Sequence, residues 1–232
     1  MLFLLSCLLS FEKDDDQTTI SIEQTRAVHF DNFDHGYKSS VQIHSLDEGG
    51  EPIGHGSGNY FKIGKEKFII TADHVMNHGS AFLVRDGTNV VLLTTIYRDP
   101  VQDIAIVIPE RELRHIKAKD YKLNTKNDLL GISVNYTGYP SDLGKSLFRG
   151  IISSFDHRMA ILQSFALPGA SGSVVFDNAG RVIGVLSAVK LGVYEWSIFP
   201  QLHGSLVCIE RLRFYKRKDI KEIIKKWRND LK

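Results

Sequence analysis

Pro168-Gly169-Ala170-Ser171-Gly172-Ser173-Val174-Val175-Phe176-Asp177-Asn178-Ala179-Gly180-Arg181-Val182-Ile183-Gly184-Val185 sets a serine between glycines, then an apolar run, a polar turn and a second apolar run. The short β-branched runs separated by Asp, Asn and Gly read as strands joined by a turn. The flanking glycines let the backbone aim N–H groups outward around Ser171. Working outward, the same texture fills the chain from Val41. Runs at Val41–Leu46, Asn59–Ile63, Lys67–Thr71, Ala81–Arg85, Val90–Tyr97 and Ile104–Ile108 form a first set. Those at Gly131–Gly138, Ser146–Ser154, Met159–Gln163, Ser173–Phe176, Arg181–Ala188 and Gly204–Glu210 form a second. Each set holds about six strands. A set of that size can close on itself and hide its edges, so the expected fold is all-β: two packed six-stranded antiparallel β-barrels.

The tail Lys216–Lys232 breaks the pattern. Ile220, Ile223, Ile224, Trp227 and Leu231 recur at helical spacing opposite a Lys/Arg face, giving a C-terminal amphipathic α-helix. It either docks on its own domain or lies on an anionic surface. The expected organisation is an N-terminal apolar segment and linker over 1–40, then one domain over 41–232. Within that domain, barrel 1 spans about 41–108, barrel 2 about 129–210 and the helix about 216–231.

With 232 residues, 43% hydrophobic and 24% charged, the chain is an ordinary globular one, and its net charge of +2 gives no footprint for nucleic acid. Cys7 and Cys208 stand at opposite ends and define no disulfide framework. Met1–Phe11 is almost wholly apolar, too short for an integral membrane span and of signal-core length, though it lacks a basic start. It is an export or anchoring signal, which would place the protein outside the cytoplasm or in the cell envelope, or it simply packs and the protein is cytoplasmic. Leu4-Leu5-Ser6-Cys7 adds lipidation as an alternative. Glu12–Thr19 is polar and acidic and reads as linker.

Three segments carry the chemistry together. In Ile69-Ile70-Thr71-Ala72-Asp73-His74-Val75 a histidine follows the end of an apolar strand. In Asp99-Pro100-Val101-Gln102-Asp103-Ile104-Ala105-Ile106-Val107 an aspartate precedes a buried run. The third is Ser171 between its glycines. Serine is a poor nucleophile until a base takes its proton, and an imidazole with an ordinary pKa near ~6.5 suits that task at neutrality. A half-desolvated carboxylate fixes the imidazole tautomer and tolerates its charge. The expected roles are therefore His74 as base, Asp103 as its orienter and Ser171 as nucleophile. The N–H groups of Gly169 and Ser171 are the candidate oxyanion hole.

Taken singly, a Gly-flanked serine is usually a turn, a histidine at a strand end a structural residue and an aspartate before a strand a cap. Their coincidence in this order resembles the trypsin-like serine peptidase superfamily. ITADHV, DIAIV and GASGSVVFDNAGRVIGV match its T-A-A-H, D-I-A-L and G-x-S-G patterns. Thr137–Asp142 and Ser173 are similar to the bacterial glutamyl endopeptidase branch, with the HtrA-type peptidases next. The resemblance implies a double barrel with the triad in the cleft between barrels, and Ser187 as a support for the aspartate.

Departures from the pattern matter as well. Asp73 replaces a small residue, placing a charge near the site or out in solvent. Ala170 stands where digestive relatives carry an aspartate that captures a new N-terminus, so that activation is not available. Leu186 occupies the position of the histidine that helps read glutamate. Nothing after barrel 2 matches a second binding domain of the HtrA kind.

The expected substrate is a protein or peptide, with no cofactor, metal or nucleic acid. The resemblance also implies that Phe165, Leu167, Leu186, Ala188 and Val189 line the substrate pocket, which is then shallow and apolar and favours small or medium apolar residues such as Ala, Val or Leu, since a charged side chain there would be buried without a partner. His74 and His78 have metal-ligand spacing but lack a third ligand cluster, and Gly54–Gly58 reads as a turn rather than a phosphate loop. A binding module without turnover and an esterase with the same triad remain as alternative readings.

Overall fold

The computed structural model describes residues 36–156, 159–193, 202–212 and 215–231, with backbone only at 142, 156, 188–193 and 202–211. The apolar run at 1–11 and the acidic linker lie outside the described residues. Strands β1 (Ser40–Leu46), β2 (Pro52–Ile63), β3 (Glu66–Thr71), β4 (Ala81–Asp86), β5 (Asn89–Asp99) and β6 (Ile104–Pro109) make the first sheet. Its order is β1-β4-β5-β6-β3-β2, and β2 returns to pair with β1, so the strands curl into a ring. That return is possible because β2 is long. Its first half pairs with β1 from Pro52 to Asn59, and its second half with β3 from Gly58 to Ile63.

The polar connection after β6 contains a short strand, β7 (Lys119–Asp120), that pairs in parallel with β2. Then come β8 (Ser133–Gly138), β9 (Ser146–Asp156), β10 (Met159–Gln163), β11 (Val174–Asp177), β12 (Val182–Val193) and β13 (Leu202–Arg211). They close in the order β10-β13-β12-β11-β8-β9. The all-β, double-barrel expectation is met, with β7 as an addition. Two charged residues carry no alternating pattern, so β7 is not legible in the sequence.

The hairpin of β11 and β12 ties the barrels together, and its sequence explains how. Side chains alternate along a strand. Val174 and Phe176 face the core that fills barrel 1, while Val175 between them faces the core of barrel 2. On β12 the pairing with β11 skips a residue between Val182 and Gly184, which shifts the alternation, so that Val182 and Val185 join the first core and Ile183 and Leu186 the second. Burial on both faces is why these runs are apolar throughout instead of alternating.

The helix α1 (Arg217–Asp230) packs on the same first core through Ile220 and Ile224, which are 0% and 1% exposed. Its polar face reaches back to barrel 1 by a bidentate Arg228–Glu66 pair. Among the described residues no helix is long and apolar enough to cross a membrane.

Gly54–Gly58 lies inside β2 rather than in a turn. Its glycines are there for close approach. A Cβ at Gly56 would stand 2.6 Å from both methyls of Val75, and one at Gly58 would stand 2.9 Å from Ile69. Glycine inside a strand marks such crowding.

Candidate active site

The end of β3 places the histidine. Phe68 to Asp73 are buried without a break, and the chain then turns through a 3₁₀ segment, Asp73–Met76, that leaves His74 half-exposed. Asp73 is neither beside the imidazole as a free charge nor in solvent. It is 2% exposed and grips Arg98 of β5, with Nε to Oδ1 at 2.6 Å and Nη2 to Oδ2 at 2.9 Å. Such a forked pair anchors the turn from below. A buried acid needs a cation partner, but nothing local to Asp73 identifies Arg98 as the one.

Asp103 sits in the loop between β5 and β6 with a positive φ of 48°, a conformation aspartate tolerates better than most residues. Oδ1 accepts the His74 backbone N–H at 2.8 Å, and Oδ2 faces His74 Nδ1, also at 2.8 Å. Ser187 on β12 donates its hydroxyl to Oδ2 from the other barrel. Burial pushes the Asp103 carboxyl up. The hydrogen bonds from the His74 ring, the Ser187 hydroxyl and the His74 amide outweigh it and hold the group below its ordinary value. An ionised carboxylate only accepts, so Nδ1 carries the proton and Nε2 is left as the basic nitrogen.

Ser171 comes from barrel 2, in the loop between β10 and β11. Leu167-Pro168-Gly169-Ala170 forms a turn closed by Ala170 N–H to Leu167 C=O at 3.0 Å, with Gly169 at φ 91°. Proline second and a left-handed glycine third are the residue choices of a type II turn. The Pro168 carbonyl accepts the Ser141 N–H at 2.7 Å. A trans peptide is planar with its C=O and N–H opposed, so that bond turns the Gly169 N–H to the far side. Among the described residues, neither the Gly169 N–H nor the Ser171 N–H or hydroxyl is engaged in a hydrogen bond.

The loop is seated by main-chain bonds. Ser57 N–H reaches Ser171 C=O at 2.7 Å, Gly172 N–H reaches Leu186 C=O at 2.8 Å, and Leu186 N–H reaches Ser173 C=O at 2.9 Å. Gly172 has φ 86°, and a Cβ there would overlap the Ser57 carbonyl and the Thr71 hydroxyl, so barrel 1 presses on the loop at that point. The structure thus brings His74, Asp103 and Ser187 into direct contact, and it links Ser171 to barrel 1 through Ser57.

Of the residues expected around the pocket, Phe165 is exposed, Leu167 half-buried and Leu186 buried within the barrel 2 core. The side chains of Ala188 and Val189 lie outside those described. Among the described residues no cluster of three His, Cys, Asp or Glu side chains could hold a metal, and His78 is exposed.

The chain is 32% identical over 165 residues to a probable periplasmic serine endoprotease, DegP-like, of Bartonella henselae, covering 66% of this chain and 30% of that one. It is 28% identical over 153 residues to the like-named protein of Brucella suis, covering 60% and 28%. It therefore spans less than a third of the length of these curated relatives. Among solved structures, the serine endoprotease from Yersinia pestis superposes with a TM-score of 0.65 at 16% identity, over 85% of this chain and 66% of that one. The HtrA-type protease AlgW with tripeptide gives 0.63 at 18% identity, over 84% and 63%. These likenesses fix the fold and favour the second of the two branches that the motifs resemble. A family model for the trypsin-like peptidase domain matches residues 56–185, more than half of the chain, and the chain belongs to that family.

Proposed function

We propose that the protein is a serine endopeptidase that cuts protein or peptide substrates through an acyl-enzyme on Ser171. The observation that carries this reading is the His74–Asp103 contact, in which both carboxylate oxygens are taken by one histidine and Nε2 is left basic. Ser171 Oγ attacks the scissile carbonyl while its proton passes to His74 Nε2. The oxyanion is held by the unengaged N–H groups of Gly169 and Ser171. His74 then gives the proton to the leaving amine, and water, activated by the same nitrogen, releases the acyl group. No hydrogen bond joins Ser171 and His74 in the structure, and catalytic bonds of this kind commonly tighten only when substrate binds.

The reading takes 41–232 as the peptidase domain, with barrel 1 over about 41–108, barrel 2 over about 129–210 and the tail helix over about 216–231. The exposed Phe165 and half-buried Leu167 support cleavage after small or medium apolar residues. A fluorophosphonate probe should label the wild type and not Ser171→Ala. Hydrolysis of peptides with Ala, Val or Leu before the scissile bond should fall roughly 10⁶-fold in kcat in that variant. Folded wild type that stays unlabelled, or a cleavage profile led by Glu, Arg or Lys, contradicts the reading.

The names of the curated relatives place those proteins in the periplasm. With the apolar run at 1–11, this supports export of the present chain. Intact mass of protein from its native host should then lack that run, and retention of Met1 excludes cleavage.

A further inference from the structure

Ser57 does more than cross-link strands. It lies on β2 of barrel 1 and is 0% exposed. Its hydroxyl donates to the Gly169 carbonyl at 2.7 Å and accepts the Tyr139 N–H at 2.9 Å, while its own N–H holds the Ser171 carbonyl at 2.7 Å. One residue of barrel 1 therefore brackets the turn of barrel 2 that carries the two candidate oxyanion donors. The Tyr139 carbonyl accepts from His55 Nε2 at 3.0 Å, so Tyr139 is itself tied to β2 through both its N–H and its C=O.

Gly169 needs such a restraint. Glycine turns through φ more freely than any other residue, and Ala170 offers no side chain to fix the turn. Both peptide planes flanking Gly169 are instead pinned. Ser141 holds the Pro168 carbonyl and Ser57 the Gly169 carbonyl. The Gly169 N–H lies in the plane that Ser141 holds, and the next plane is held by the Ser57 hydroxyl together with the Ala170 N–H to Leu167 C=O bond, so a hinge motion of the turn about Gly169 must strain or break one of these bonds.

We propose that the Ser57 hydroxyl is a positioning group that keeps the oxyanion turn in its reactive orientation. The inference rests on the peptidase reading above. Because it acts on a donor used only in the transition state, its loss should lower kcat and spare KM. Removing one oxyanion donor costs about 10²–10³ in kcat, and a donor left mobile should cost less, about 10- to 100-fold.

The test compares wild type, Ser57→Ala, Ser57→Thr and Ser57→Val on one apolar peptide anilide, together with the affinity of a peptide boronate that mimics the tetrahedral state. Ser57→Ala should lose kcat and boronate affinity in parallel, by about 10- to 100-fold, with KM within about twofold. Thr and Val are close in size and differ by the hydroxyl, so Ser57→Thr should retain at least tenfold more kcat than Ser57→Val even if cavity or crowding lowers the melting temperature of both. Equal kcat in those two, or a Ser57→Ala loss confined to KM or to thermal stability, overturns the proposal. Wild type that neither labels nor hydrolyses overturns the peptidase reading and this inference with it. Active wild type beside an equally active Ser57→Ala overturns the positioning role alone.

Discussion

The two halves of the site are held in different ways. On the barrel 1 side, His74 and Asp103 are locked by side-chain hydrogen bonds, with each carboxylate oxygen assigned a donor. On the barrel 2 side, Ser171 and Gly169 are placed by the backbone, through a proline-glycine turn, two left-handed glycines and main-chain bonds to Ser57 and Leu186. The base needs a fixed tautomer, and a carboxylate is the group that supplies one. The oxyanion donors are themselves peptide N–H groups, and peptide planes are aimed by turns. The consequence is a division of vulnerability: substitutions near Asp103 should cost activity far more than stability, whereas crowding around Gly172 strikes folding and activity together.

Asp103→Asn tests the first half most directly. The carboxylate accepts from the His74 amide, the His74 ring and Ser187. An amide offers a single accepting oxygen, and its NH₂ would face one of those donors. The imidazole is then driven to the other tautomer, with Nε2 protonated and useless as a base. We expect kcat to fall about 10⁴-fold with KM little changed. Steady-state kinetics beside a thermal melt read both quantities, and a loss smaller than tenfold breaks the assignment of Asp103.

This division also explains what could be read from the sequence. The functional side chains announced themselves because each precedes or follows a strand that must be apolar. Ile69-Ile70 leads to His74, Ile104-Ala105-Ile106 follows Asp103 and Val174-Val175-Phe176 follows Ser171. Ser187 is legible only through the family pattern. The supporting shell stayed hidden. Ser57 and Tyr139 act on Gly169 from 112 and 30 residues away in the chain, and a serine in a glycine-rich strand carries no pattern of its own. The Gly54–Gly58 stretch reads as a turn by composition, yet it is strand, because the glycines answer crowding from Val75 and Ile69 that only the folded packing creates. Arg98 likewise emerges only once β5 lies beside the turn after β3.

A smaller effect separates the carboxylates of barrel 1 from the rest of the fold by pH. Asp103 and Asp99 are both held below their ordinary values. At Asp99 burial again works upward and is outweighed by hydrogen bonds, first from the Tyr215 hydroxyl and then from Gln102 and Val101. A carboxyl whose folded value is depressed binds fewer protons in the native state than in the unfolded one. Its stabilisation is therefore complete above the unfolded value, about 3.9 for aspartate, and disappears as pH falls through the lower folded value. Urea midpoints should stay level in this respect from neutrality down to about pH 5 and then decline below about pH 4. The double variant Asp99→Asn/Asp103→Asn starts from a lower midpoint but has neither group to protonate, so its acid decline should be shallower than that of the wild type. Parallel declines in the two proteins would mean that other carboxyls govern acid unfolding, and that the network around His74 orients the base without contributing to the pH dependence of the fold.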